Sequence, residues 1–349
     1  VFNTKQVDFD GTDDYLKVTN NYGSFTGSVS FWVKKVNNTG GQYWFDTRLD
    51  GGVGYIAQFS SSNITAQSGT VYVDGVVSSV VDIGEWHHIV VTGISLDIVS
   101  QIIIGTRFNI TSEYFNGEMS QIGLWNSTLT ADEVSSLYNH GLPVDLSTDQ
   151  AAYTSSSNLV GYWRMGSGTL DSYPVIFDQT NATLGSELSP NTDFTSNITG
   201  WESYDSGTAS WNSFNGGSMQ LVNNGTNNWF GRSTNNFSLS TNCTYIVTAK
   251  VYLTSGYTGD DFYIYSAGNF SGATEYIVKA DKDTKEQWQD IKYTFTLASD
   301  VSGRLYFRND SYGSSGATVY VDDVSVKKVN GNPAIMTNMT ASDIENGSP

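Results

Sequence analysis

The chain has 349 residues, enough for two domains, and its composition is typical of an all-β protein with many tight turns: 35 Gly, 21 Tyr, 17 Phe, 9 Trp and only 15% charged residues. The net charge of −18 argues against nucleic acid or an anionic membrane as the partner, because phosphates would be repelled. A single cysteine, Cys243, excludes an intramolecular disulfide framework, and no apolar run approaches the roughly 20 residues that span a bilayer.

The amino-terminal third of the chain predicts strands joined by tight turns. Val7 and Phe9 alternate with polar residues, and Leu16 and Val18 resume the alternation after an acidic turn around Gly11. Further strands are predicted at residues 28–34, 71–77, 86–92 and 102–105, with an Asp-Gly hairpin turn at 74–75.

Residues 115–142 predict a strand, a short helix and a glycine stop. In a strand, Met119, Gln121, Gly123 and Trp125 would point to one face and Ser120, Ile122 and Leu124 to the other. This pattern suits a strand that is covered on at least one face. Thr130 and Glu133 form a capping-box pattern, and Val134 and Leu137 follow at helical spacing. Gly141 can end this helix in a left-handed conformation.

Together these segments resemble laminin-G-like domains of the concanavalin A-like lectin/glucanase superfamily. The matching phrases are FDGTDDY at 9–15, SFWVK at 30–34, VYVDG at 71–75, WHHIVV at 86–91, IIIG at 102–105 and the closing strand and helix. The resemblance implies a jelly-roll β-sandwich.

A later sequence motif indicates that the first domain is interrupted by an insertion. LVGYWRMG at 159–166 resembles a segment of laminin-G-like proteins that runs on into a short strand containing Thr-Asn-Met-Thr. Here that tetrapeptide appears only at 337–340. We therefore expect a domain of residues 185–330 inserted into a terminal segment of the first domain, which comprises 1–184 and a return segment 331–349. Plain tandem order with a trailing tail is the alternative.

Residues 185–330 predict a second β-sandwich. Its phrases are NTDF at 191–194 with Gly-Trp at 200–201, and strands at 244–251, 288–296 and 317–326, the last containing YVDDV. They resemble carbohydrate-binding modules of the family 4/9 type, which have a galactose-binding-like jelly-roll fold. The predicted fold class is thus all-β, with two jelly-roll sandwiches.

Catalytic residues are not apparent in the sequence. Glycoside hydrolases use a pair of carboxylates, whether they retain or invert the anomeric configuration. The E-x-D-x-x-E spacing that glucanases with this fold use is absent from the sequence. His87 and His88 have no Ser, Asp or metal-ligand partner nearby in the sequence. The simpler interpretation is that both are structural residues of a β-strand. We predict that the protein is not an enzyme.

Structural Ca²⁺ is the one cofactor that the sequence suggests, because acidic turns at strand ends offer oxygen ligands. In the first domain the candidates are Asp10, Asp13 and Asp14. Laminin-G-like domains usually add an acidic residue in the closing strand, where this chain has Ser120 and Gln121, and a solvated acidic turn is the alternative. In the second domain Asp193 and Asp322 lie on strands that are neighbours in the resembled fold, whose structural Ca²⁺ commonly uses that pair.

Glycan binding needs aromatic faces for sugar C–H surfaces and a few polar groups for hydroxyls. The second domain offers Trp201, Trp211, Trp229, Arg232, Tyr257 and Asn309, together with Tyr204 and Tyr263. Trp211 and Trp229 lie in Asn-, Ser- and Gly-rich surroundings and are expected to be more exposed than Trp288; a place in the core is the alternative.

These observations predict a non-catalytic glycan-binding surface protein, extracellular or on a virion, acting as a homo-oligomer or virion component. Its partner would be a cell-surface or extracellular polysaccharide, with neither nucleic acid binding nor membrane insertion. The LVGYWRMG and TNMT phrases resemble laminin-G-like proteins of tailed phages of marine bacteria, which favours a fibre, decoration or tail-tip adhesin. The alternatives are a purely structural assembly protein and an accessory module of a secreted polysaccharide-degrading system.

Overall fold

The computed structural model describes residues 3–20, 22–49, 52–98, 100–224, 229–267, 276–297, 299–309, 317–347 and 349. Its regular structure is almost entirely β, and the prediction of an all-β fold built from β-sandwiches is confirmed. The chain divides into two compact units, Val1–Thr183 with Asn330–Pro349 and Leu184–Val329. No helix in the described ranges is long and apolar enough to cross a membrane.

The strands follow one another along the chain with few helices between them. The first unit begins with β1 (Lys5–Asp10), β2 (Tyr15–Thr19), β3 (Gly23–Lys35), β4 (Gly41–Asp46), β5 (Tyr55–Phe59), β6 (Ile64–Ala66), β7 (Thr70–Val73), β8 (Val76–Val77), β9 (His87–Ile98), β10 (Gln101–Ile104), β11 (Asn116–Trp125), helix α1 (Ala131–Tyr138), β12 (Leu159–Trp163) and β13 (Val175–Ile176). The second unit contains β14 (Leu184–Glu187), β15 (Trp201–Ser203), β16 (Thr208–Asn212), β17 (Ser218–Val222), β18 (Trp229–Ser233), β19 (Phe237–Leu239), β20 (Thr244–Leu253), β21 (Phe262–Ala267), β22 (Tyr276–Ala280), β23 (Trp288–Thr296), β24 (Val301–Asn309) and β25 (Thr318–Val329). The chain ends with β26 (Ala334–Thr337) and β27 (Ile344–Asn346), and short 3₁₀ turns lie at Asn139–Gly141, Ser156–Asn158, Phe214–Gly216 and Ala341–Asp343.

The first unit is a sandwich of two antiparallel sheets. One has the order β27-β1-β11-β3-β9-β7-β8, with β12 also paired to β11, and the other has the order β13-β26-β2-β10-β4-β5-β6. Alternate residues of both sheets point into one core, where Phe9 and Trp44 each meet Phe115 edge to face, with ring centroids 5.6 and 5.7 Å apart.

The last strands of the chain complete both sheets of the first unit. Strand β26 lies between β13 and β2, and β27 pairs with β1. The returning segment is fastened by Trp163, whose indole Nε1 donates to the Asn332 carbonyl at 2.8 Å. Where the chain leaves and re-enters this unit, the Asn330 backbone N–H donates to the Thr183 carbonyl at 3.0 Å.

Helix α1 begins at the predicted capping box but does not end at the predicted glycine. The Thr130 hydroxyl accepts from the Glu133 backbone N–H at 3.3 Å, and a Glu133 carboxylate oxygen accepts from the Thr130 backbone N–H at 2.9 Å. The left-handed residue that ends the helix is Asn139, at φ 45°, whereas Gly141 belongs to the 3₁₀ turn that follows. Asparagine tolerates this conformation because its short amide bonds locally, here from Nδ2 to the Leu142 carbonyl at 3.2 Å.

The second unit is a separate sandwich. Its sheets have the orders β16-β17-β25-β20-β23, with β14 on β25, and β15-β18-β24-β21-β22, with β19 on β24. Strand β24 shows the alternation clearly: Leu305 and Phe307 enter the core, while Arg304, Tyr306 and Arg308 point to the opposite face of the sheet. Its first strand also pairs with its last, Leu184 opposite Val329.

Candidate functional site

Aromatic and arginine side chains share the outer face of the sheet formed by β15, β18, β24, β21 and β22. We call this surface the aromatic–arginine face; its members are Glu202, Tyr204, Trp229, Arg232, Tyr265, Arg304, Tyr306 and Arg308. Strand pairing brings them together, because Tyr306 lies opposite both Arg232 and Tyr265, and Arg308 lies opposite Trp229. Cross-strand neighbours on one face are close enough for their side chains to touch.

The rings of this face form one continuous cluster. Around Tyr306, ring centroids lie at 4.9 Å for Tyr204, 5.3 Å for Trp229 and 6.1 Å for Tyr265, all in edge-to-face arrangements. Tyr306 is 9% exposed and Tyr265 is 8% exposed, whereas Trp229 and Tyr204 are half-buried. The latter two therefore supply the ring surface that a ligand can reach.

Guanidinium groups lie over these rings. The guanidinium carbon of Arg308 is 4.7 Å from the Trp229 ring centroid and 5.2 Å from that of Tyr265. That of Arg232 is 4.5 Å from the Tyr204 centroid. Such cation–π contacts fix the arginines against the sheet and extend the flat surface of the rings.

One carboxylate joins two of the arginines. Glu202 Oε1 accepts from Arg232 Nε at 2.7 Å and from Arg304 Nη1 at 3.4 Å, and the hydrogen bond to Glu202 raises the pKa of Arg232. Arg304 also donates from Nε to Asn236 Oδ1 at 3.2 Å. With three arginines and one glutamate, the face carries a formal surplus of positive charge on a protein whose net charge is −18.

Three of the residues proposed from the sequence are buried and do not reach this face. Trp201 is 4% exposed, with its ring 5.3 Å from that of Phe307 and its indole Nε1 donating to the Asn191 carbonyl at 3.1 Å. Tyr257 and Asn309 are both 0% exposed. A sugar cannot stack on or bond to such groups from solvent, so assigning Trp201, Tyr257 and Asn309 to a glycan surface does not fit the structure.

The two tryptophans expected to be exposed are separated by the fold. Trp229 lies in the aromatic–arginine face together with Arg232. Trp211 is 41% exposed but stands on β16, an edge strand of the other sheet, opposite Met219. Its indole Nε1 donates to the Phe194 carbonyl at 2.8 Å.

Sequence reasoning missed five of the eight members of the face, namely Glu202, Tyr265, Arg304, Tyr306 and Arg308. One signal was available, because Arg304, Tyr306 and Arg308 alternate with the apolar Leu305 and Phe307. An outward row of two arginines and a tyrosine on a strand predicts a polar, aromatic surface even without knowledge of its neighbours.

The acidic turn of the first unit brings three carboxylates together. Asp10, Asp13 and Asp14 place ligand oxygens within 4.8 Å of one another. Burial raises the pKa of Asp14 to about 6, and the charges of Asp10 and Asp13 act in the same direction. An all-oxygen donor set of this kind fits a hard cation such as Ca²⁺, which would relieve the repulsion.

Asp193 and Asp322, the acidic pair of the second unit, have weaker support as Ca²⁺ ligands. Burial raises the pKa of Asp322, and the negative charges of Asp323 and Asp193 act in the same direction. Asp323 forms an ion pair with Lys250 at 2.8 Å. Within the described ranges, no third His, Cys, Asp or Glu joins Asp193 and Asp322 at ligand distance.

His87 and His88 do have partners that the sequence did not reveal. Ser30 Oγ lies 2.8 Å from His88 Nε2, and His88 stacks on Trp32 with ring centroids 4.7 Å apart. His88 is 2% exposed, and burial lowers its pKa to about 3. His87 Nδ1 lies 2.7 Å from Asp74 Oδ2. The Ser30–His88 contact is closed to substrate and belongs to the packing of the sheet.

A family match covers most of the second unit. Residues 186–312 match the CBM_4_9 family model, described as a carbohydrate binding domain, and every member of the aromatic–arginine face lies within that range. The CBM22-1 xylan-binding domain of Paenibacillus barcinonensis Xyn10C is similar at 14% identity and a TM-score of 0.34, over 43% of this chain and 96% of that one. A structure described as "CBM4 structure and function" is similar at 19% identity and a TM-score of 0.31, over 40% of this chain and 99% of that one. The comparison with curated protein sequences finds no match.

Proposed function

We propose that the second unit binds a glycan chain on the aromatic–arginine face. The observation that carries this proposal is the half-buried ring of Trp229, set in a continuous layer of rings and guanidinium groups within a segment that matches a carbohydrate binding domain. Rings pack against the C–H surface of sugars, and Arg232, Arg304 and Glu202 can bond to hydroxyl groups beside them.

We further propose that this unit binds without catalysing a reaction. The aromatic–arginine face contains one carboxylate, Glu202, whose Oε1 is already shared by Arg232 and Arg304. Glycoside hydrolysis ordinarily uses two carboxyl groups that flank the scissile bond.

For the whole chain we propose an adhesin on a virion or cell surface, with the first unit as a laminin-G-like sandwich. The support comes from the phrases FDGTDDY, WHHIVV and LVGYWRMG, together with the carbohydrate-binding match in the second unit. That match is equally compatible with an accessory module of a secreted polysaccharide-degrading system. Neighbouring capsid and tail genes would favour the first role, and neighbouring hydrolase and transporter genes the second.

We also propose that Asp10, Asp13 and Asp14 hold a structural Ca²⁺ in the first unit. The closeness of their carboxylate oxygens supports it. When bound, the ion would neutralise the turn between β1 and β2 and take no part in glycan recognition.

A glycan array followed by calorimetric titration tests the binding proposal. We expect the wild-type protein to bind at least one polysaccharide, and the Trp229→Ala variant to lose tenfold or more of its affinity, about 1.4 kcal/mol. Trp211→Ala is the matched control: it removes an exposed indole outside the aromatic–arginine face and should leave affinity within about twofold. Wild-type protein that binds no glycan but forms stable homo-oligomers in light scattering would favour a purely structural role.

A further inference from the structure

We propose that the ligand is an anionic polysaccharide, one that carries carboxylate or sulfate groups along its chain. This inference rests on the proposed glycan-binding function and specifies its ligand. It follows from the charge, spacing and stacking of the arginines on the aromatic–arginine face.

The distribution of charge on the chain is the first argument. The protein has 35 acidic against 17 basic residues, and only six of the basic residues are arginines. Arg232, Arg304 and Arg308 are all the arginines of residues 184–329, and all three lie on one sheet face. Positive side chains concentrated on an otherwise acidic protein create a local field that attracts anions. Stacking on uncharged sugars would need the rings but no such concentration.

The contacts of Glu202 show that these arginines can bind a carboxylate. One oxygen of Glu202 lies within hydrogen-bond distance of both Arg232 Nε and Arg304 Nη1, at 2.7 and 3.4 Å. These side chains are only partly exposed, 27% for Arg232 and 28% for Arg304. A carboxylate or sulfate of a ligand presents the same acceptor oxygens, which the fork of guanidinium N–H groups matches.

The stacking of Arg308 places a cation directly beside the ring surface. Its guanidinium group lies over Trp229 and Tyr265, a contact that uses the flat side of the group. An acidic substituent of a sugar that packs beside the Trp229 indole would therefore lie close to the positive charge of Arg308.

The spacing along β24 favours a polymer over a single sugar. Arg304 and Arg308 are four residues apart, about 13 Å at roughly 3.3 Å per residue, with Tyr306 between them. One small anion cannot engage both positions at once. Anionic groups repeated along a polysaccharide can, and each added contact strengthens binding of the same chain.

Affinity measurements with the 349-residue chain test this proposal. The probes are polygalacturonate for carboxylates, dextran sulfate for sulfates, and xylan and a β-glucan as neutral chains. We expect at least tenfold tighter binding to one of the two anionic polymers than to either neutral one, and an affinity that falls as salt rises. The anionic polymer that binds more tightly identifies the source of the charge.

Variants of the arginines give the sharper test. Arg308→Gln should lower affinity for the anionic polymer tenfold or more, and Arg308→Lys, which keeps the charge without the planar fork, should lose less. Arg107→Gln is the matched control, because Arg107 is a partly exposed arginine that pairs with Glu113 in the first unit; it should leave affinity unchanged. Thermal unfolding of each variant checks that it is folded.

Three other results would overturn the proposal, and they have different meanings. Equal or tighter binding of neutral polymers without salt dependence would reject the anionic ligand while leaving the glycan-binding function intact. Equal loss in Arg308→Gln and Arg107→Gln would show that the aromatic–arginine face does not carry the charge selectivity. Failure of every polymer to bind would reject the proposed function itself.

Discussion

Arg308 and Trp229 face each other across the β18–β24 pairing, with the guanidinium carbon 4.7 Å from the indole centroid. A shift of register between Trp229 and Gly231 makes this contact possible. Trp229 and Arg232 are three residues apart, so strict alternation would place them on opposite faces of the sheet. The irregularity brings both onto the same face.

The contact between Arg308 and Trp229 should be measurable as a coupling energy. We expect a double-mutant cycle of Trp229→Ala and Arg308→Ala to give about 0.5–1 kcal/mol, because a partly exposed cation–π pair has that strength. The measurement is urea unfolding of the wild type, both single variants and the double variant, read on the transition of the second unit. Strictly additive losses would show that the two side chains do not stabilise each other.

Trp201 and Trp211 differ in burial, and they should therefore differ in how much they stabilise the second unit. Trp201→Ala should destabilise the second unit by about 3–5 kcal/mol, because a buried ring is replaced by a cavity. Trp211→Ala, at an edge strand and 41% exposed, should cost clearly less. Denaturant unfolding compares them, and similar losses for both would contradict the assignment of Trp201 to the core.

The contribution of His88 to the stability of the first unit should fall as pH falls from about 6.5 towards 3. Burial lowers the pKa of His88 from 6.5 to about 3 in the folded protein, so the unfolded chain binds the proton more tightly. The stabilisation is therefore complete above pH 6.5 and is lost below it, by at most about 5 kcal/mol. Thermal unfolding should show this loss as a difference between the pH profiles of the wild type and His88→Phe, because carboxyl groups such as Asp14, whose raised pKa acts in the opposite sense, are common to both. An unchanged slope would mean that His88 does not titrate on unfolding.

The capping box of α1 gives a local prediction. Thr130→Ala should lower the stability of the first unit by about 1 kcal/mol, because the Glu133 backbone N–H loses its acceptor. Thr130→Ser keeps the hydroxyl and should recover most of that loss. Chemical denaturation measures both, and equal losses would point to the lost methyl group rather than the hydrogen bond.

Ca²⁺ should stabilise the first unit if the acidic turn holds it. We expect about 1 mM Ca²⁺, the range of extracellular Ca²⁺ modules, to raise the unfolding temperature of the wild type, and a chelator to reverse the effect. Asp13→Asn should abolish the response. Asp323→Asn is the control, since Asp323 pairs with Lys250 in the other unit. An equal response in Asp13→Asn would place the ion elsewhere.

Alternation in the sequence predicted strands well where one face of the strand is buried. Val7 and Phe9 in β1, and Thr130 with Glu133 at α1, lie where their patterns indicated. The end of α1 was predicted wrongly, because both Asn139 and Gly141 can adopt a left-handed conformation and the sequence alone does not rank them.

The candidate site was harder to predict than the strands. Trp229 and Arg232 were found by residue type, but Trp201, proposed on the same ground, enters the core. What separates them is the partner strand: Arg308 and Tyr306 come from a strand more than seventy residues away in the chain. Pairing register and the irregularity at Trp229 leave no local signature that fixes the face.

The hydrogen bond from Asn330 to Thr183 and the pairing of Leu184 with Val329 place both ends of the second unit next to each other. The chain therefore leaves and re-enters the first unit at neighbouring residues, and β26 and β27 still complete its two sheets. A different domain whose two ends are equally close together could be exchanged at this point without disturbing the strands of the first unit.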